Sequence, residues 1–102
     1  MNKKNTPVLN RAEILQRLHE ADVRQFGVTS LALFGSAARD EIGKGSDVDI
    51  LVTFSEITSD NYFGLKFFLE RLLGRKIDLV TPRAIKPRMM PYIQEDLYDV
   101  AP

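Results

Sequence analysis

Three aspartates stand inside runs of strand-forming residues, and that placement constrains this chain more than any other feature. Asp47 and Asp49 belong to Asp47-Val-Asp-Ile-Leu-Val-Thr-Phe54, and Asp78 to Lys76-Ile-Asp-Leu-Val80. Aspartate is disfavoured in strands, and an unpaired carboxylate buried there is costly, so the positions call for a compensating role. Because side chains alternate along a strand, Asp47 and Asp49 are expected on one face, about 6 to 7 Å apart. If the second segment pairs beside the first, at the ~4.8 Å spacing of neighbouring strands, Asp78 joins them. Three carboxylates that close raise one another's pKa unless divalent cations neutralise them. The chain has no cysteine and one histidine, so thiolate sites are excluded and oxygen ligation of Mg²⁺ or Mn²⁺ is expected.

A site of this kind leaves coordination positions open to substrate phosphates. Two cations ~3.5 to 4 Å apart would stabilise both the attacking and the leaving oxygen of an in-line displacement at phosphorus, as in nucleotidyl transfer. Upstream, Gly35-Ser36 cuts off Val28–Phe34, a run rich in strand formers, where a strand gives way to a short helical turn. Gly35 would let the backbone approach a triphosphate, and Ser36 could donate to a β- or γ-phosphate oxygen. Gly-Ser alone carries little information; its weight comes from the ten residues that separate it from Asp47-Val48-Asp49.

The remaining chain supplies supports for a small sheet. Met1 to Leu9 reads as an arm. Asn10 with Glu13 forms a capping box, and Ile14, Leu15, Leu18 and Ala21 give an apolar stripe on a helix with Gly27 as its stop. Asn61 to Leu73, carrying Phe63, Phe67, Leu69 and Leu73, reads as a second helix stopped by Gly74. Ser55 to Asp60 is turn-like, and a short helix is predicted around Arg88 to Asp96. The later half of the Asp47 strand is apolar on both faces, as for a strand covered by helices on each side. The 102 residues thus predict one α/β or α+β domain spanning 1–102, a small mixed sheet flanked by helices. With 14 basic against 14 acidic side chains, the formal charge is zero, which argues against direct nucleic-acid binding. No apolar run reaches the ~20 residues of a membrane span and no signal peptide is evident, so a cytoplasmic protein is expected.

Leu33-Phe34-Gly35-Ser36-Ala37-Ala38-Arg39, the ten-residue gap, Ser46-Asp47-Val48-Asp49-Ile50-Leu51-Val52 and Lys76-Ile77-Asp78-Leu79-Val80 together resemble the minimal nucleotidyltransferases, the MntA-type antitoxins of the DNA polymerase β superfamily. The resemblance implies a polymerase β-like fold, two Mg²⁺ ions and transfer of AMP from ATP. It places Asp47, Asp49 and Asp78 as catalytic metal carboxylates, Gly35 and Ser36 as the phosphate-binding turn, and Arg39 beside them as a nucleotide contact. It further implies that the acceptor is a tyrosine of a HEPN-type ribonuclease toxin, neutralised by adenylylation within a complex.

The chain departs from the commoner family wording Gly-Ser-Arg-Ala-Arg-Gly at Ala37, which removes a cation, and at Asp40, an acid expected near the triphosphate. Those departures keep open an alternative, a catalytically silent antitoxin that blocks its partner by binding alone. Taken singly, several residues also have plainer readings. Asp47 could be a turn residue after Lys44-Gly45-Ser46, Ser36 a helix cap, and Arg39, Lys44, Arg75 and Lys76 solvated charges. His19 reads as a surface residue, and Phe63, Phe67 and Phe68 as core or partner-facing packing.

Overall fold

The computed structural model describes residues 9–43 and 45–100; all but Leu9 of the arm expected over 1–9 lies outside them, as does Lys44. Asn10 caps α1 (Arg11–Glu20) by accepting the Glu13 N–H, while the Glu13 carboxylate accepts the Asn10 N–H. The preceding Leu9 is not part of a frayed arm but is buried, and it joins Ile14 in the core as in a hydrophobic staple. α1 ends at Glu20, short of Gly27. A separate 3-10 turn, Val23–Phe26, follows, and Gly27 terminates that instead.

Four strands form one mixed sheet in the order β3-β2-β1-β4: β1 (Val28–Phe34), β2 (Val48–Phe54), β3 (Ile77–Val80) and β4 (Tyr98–Val100). β1 runs antiparallel to β2 and β4, whereas β2 and β3 are parallel. A parallel pair needs a long crossover, here supplied by α3 (Ser59–Leu73). The remaining helices are short, α2 (Gly35–Ala38) after β1 and α4 (Met90–Glu95) before β4. β4 was not legible in the sequence, since three residues are too few to display a period of two. Among the described residues no helix is long and apolar enough to cross a membrane.

The register produces two unlike faces. Leu33, Ile50 and Leu79 lie side by side across three strands, Val48 pairs with Ile77 across two of them, and all are buried. Ile14 and Leu18 of α1 and Leu65, Leu69 and Leu73 of α3 complete this core. Phe34, Asp49 and Asp78 form a row of the opposite face. The later half of β2 is therefore not covered on both sides: Ile50 and Val52 are buried, while Leu51 and Phe54 are half-buried and Thr53 is exposed.

α3 begins at Ser59, with the Thr58 hydroxyl accepting the Asn61 N–H. Its core stripe is Leu65, Leu69 and Leu73; Phe63 and Phe67 are 50% and 55% exposed and stack on each other instead. Positions 63 and 65 are about 200° apart around a helix, so only one of the two stripes can face the sheet. α3 also reaches β3 through polar contacts. The Tyr62 hydroxyl donates to Leu79 O at 2.9 Å, and the Glu70 carboxylate accepts the Ile77 N–H at 3.2 Å. That N–H, with Lys66, holds the Glu70 pKa below its ordinary value.

Gly74 closes α3 in the left-handed region, φ 67°, and donates to Glu70 O. Nothing lies within 4 Å of a Cβ placed there. Gly74→Ala is expected to lower stability by ~1 to 2 kcal/mol through backbone strain alone, read by urea denaturation, with the site below undisturbed.

Candidate active site

The site grows from the end of β1. Phe34 pairs with Asp49 across the sheet, and the chain leaves the strand through Gly35 with φ 74°. A Cβ on Gly35 would run into the Asp49 carboxylate, whose Cγ stands 3.1 Å from that position. The glycine is thus required twice, by its backbone conformation and by the acid packed against it. Ser36 follows, half-buried in the first turn of α2, and no side chain caps that turn.

On the other side of Asp49, the parallel register places Asp78 directly opposite it. Burial is the largest influence on Asp49, followed by the fields of Asp78 and Asp47 and by the hydrogen bond its protonated form makes to Asp78. Together they push its pKa from 3.8 to about 6, with Arg39 opposing the rise. Asp47 is exposed and lies just ahead of β2 rather than inside it. Its field nonetheless reaches Asp49. The structure therefore brings Asp49 and Asp78 together as strand neighbours and leaves Asp47 at the margin. Among the described residues, no group of three or more His, Cys, Asp or Glu side chains is arranged to hold a metal ion. The donors are all carboxylate oxygens whose repulsion is only partly offset, which is the chemistry a hard divalent cation satisfies.

Arg39 is not a free hand toward a nucleotide. Its guanidinium pairs with Glu41 at 2.9 Å and Asp96 at 3.3 Å, tying the end of α2 to the end of α4. Asp40 does not face the Gly35 turn as expected. Its carboxylate accepts the Arg11 N–H at 2.8 Å, at the start of α1. Asp40 also takes φ 60°, a conformation glycine adopts freely and aspartate tolerates better than most residues. Ala37 is fully buried in the core and takes no part in the turn's surface. Sequence reasoning missed Arg75, read as a solvated charge. It is half-buried and donates to the carbonyls of Gly43 and Ser46.

Residues 12–101 match the nucleotidyltransferase domain family, and the chain belongs to that family. Within it the chain is of the minimal, MntA type. It is 41% identical over 80 residues to the protein adenylyltransferase MntA of Thermococcus cleftensis, covering 76% of this chain and 81% of the relative. A solved structure described as a candidate minimal nucleotidyltransferase superposes with a TM-score of 0.77 at 29% identity, covering 91% of this chain and 98% of the other. A Shewanella oneidensis structure described as a tri-AMPylated HEPN toxin in complex with an MNT antitoxin shares the fold, with a TM-score of 0.54 at 20% identity; coverage is 82% and 70%.

The raised Asp49 pKa has a consequence for stability. Between 3.8 and about 6, the folded chain binds a proton at Asp49 that the unfolded chain has released. The contribution of this group therefore falls as pH rises through that window and stays low above it. In metal-free protein, Asp49→Asn is expected to raise the Tm above pH 6 and to flatten its decline between pH 4 and 6, measured by thermal melts across pH.

Proposed function

We propose that this nucleotidyltransferase transfers AMP from ATP to a tyrosine of a HEPN-type toxin and acts as the antitoxin of that pair. The observation that carries the reading is Asp49 wedged between Gly35 and Asp78, with Asp47 within electrostatic reach. The MntA relative and the shared fold of the AMPylated toxin complex support the choice of nucleotide and partner.

In this reading Asp47, Asp49 and Asp78 hold Mg²⁺, two ions in all or Mn²⁺ in their place. When bound, the cations neutralise the carboxylates and polarise the phosphate oxygens. Gly35 lets the backbone approach the triphosphate, and Ser36 donates a hydroxyl hydrogen to a β- or γ-phosphate oxygen. Arg39 reaches the nucleotide only by leaving Glu41 and Asp96, an exposed pairing that is weakly held. The tyrosine oxygen attacks the α-phosphorus, the bond to the β-phosphate oxygen breaks, and pyrophosphate departs. A carboxylate of the trio takes the tyrosine proton.

With labelled ATP, Mg²⁺ and the helical product of the adjacent reading frame as acceptor, wild-type protein is expected to label the acceptor. Asp49→Asn should lower the rate by about 100-fold or more. Equal labelling by the variant would sink the mechanism. Acceptor that is bound tightly but never gains mass would instead identify a silent binding module.

A further inference from the structure

Asp47 is the member of the acidic trio that lies outside the sheet, just ahead of β2, and its place depends on the segments at its two ends. On one side, Val48 donates its N–H to Lys76 O at 2.9 Å, which starts the parallel ladder. On the other side, Ser46 is held by a single side chain. The Arg75 Nη2 donates to both Gly43 O and Ser46 O, the second at 3.1 Å, and Nε donates to Ser46 O at 3.3 Å. The turn also closes on itself, since the Ser46 N–H donates to Gly43 O and the Ser46 hydroxyl accepts the Gly43 N–H, each at 3.2 Å. Arg75 follows the helix-terminating Gly74 and precedes Asp78 by three residues. One guanidinium therefore joins the turn that leads into the Asp78 strand to the loop that presents Asp47.

We propose that Arg75 is a positioning residue of the acidic site, fixing the Gly43 and Ser46 carbonyls so that Asp47 is presented beside the Asp49–Asp78 pair. The proposal rests on the reading of those aspartates as cation ligands. It does not assign Arg75 any contact with substrate. A planar guanidinium can span two carbonyls with hydrogen bonds in a fixed fork, whereas a lysine ammonium keeps the charge but has a single nitrogen from which to donate. The Arg75→Lys variant consequently separates geometry from electrostatics.

The test compares wild type, Arg75→Lys and Arg75→Ala for Mn²⁺ affinity by electron paramagnetic resonance without nucleotide, for Tm, and for the Mg²⁺ dependence of label transfer. Arg75→Lys is expected to fold, to bind Mn²⁺ about tenfold more weakly, and to need correspondingly more Mg²⁺ for its half-maximal rate, recovering near-wild-type kcat when Mg²⁺ is raised. Wild-type Mn²⁺ affinity in folded Arg75→Lys would overturn the proposal, as would a wild type that binds no Mn²⁺. If Arg75→Ala fails to fold, Arg75→Lys alone decides the matter. Weakened Mn²⁺ binding in Arg75→Lys supports the proposal whether or not the wild type labels its acceptor. Failure of the catalytic reading therefore shows in label transfer, and failure of this one in Mn²⁺ affinity.

Discussion

The pairing of β2 with β3 is the constraint on which the rest depends. Their parallel register puts Asp49 opposite Asp78, and like charges on adjacent strands oppose the pairing that brings them together. The apolar face offsets that cost. Val48, Ile50 and Val52 of β2 and Ile77 and Leu79 of β3 are all buried on the side away from the carboxylates. One ladder thus supplies both the core and the acid pair, because a period of two separates the faces completely. The α3 crossover exists to permit the parallel pairing, and its leucines cover the apolar side.

Much of this was legible in the sequence for a specific reason. Asp49 and Asp78 announce themselves because a carboxylate amid valine, isoleucine and leucine has no ordinary explanation in a strand. Gly35 is legible only through its spacing from Asp49, and the structure supplies the cause: the two are packed against each other. The helix caps at Asn10 and Gly74 involve partners three or four residues away, within reach of pattern reading.

What was not legible depends on contacts distant in the chain or on choices that a pattern leaves open. Arg39 meets Asp96 across 57 positions, and Arg75 meets Ser46 across 29, so neither partner could be named in advance. α3 offers two apolar stripes, and only the sheet decides that Leu65 faces inward while Phe63 faces out. Asp40 looked like an electrostatic defect beside the phosphate turn. Its tie to Arg11 and its left-handed backbone give it a structural task instead.

The contacts of α3 with β3 bear on how this small chain can meet another. β3 is an outer strand, and with Lys76 O bonded inward to Val48, the backbone groups of Ile77 and Leu79 turn outward. The Ile77 N–H and Leu79 C=O are already engaged by Glu70 and Tyr62. An incoming polypeptide that tried to extend the sheet here would have to displace both before forming its own ladder. Edge-to-edge recruitment at this border is thereby discouraged, which steers association toward side-chain surfaces and protects a short, apolar strand from templating aggregates.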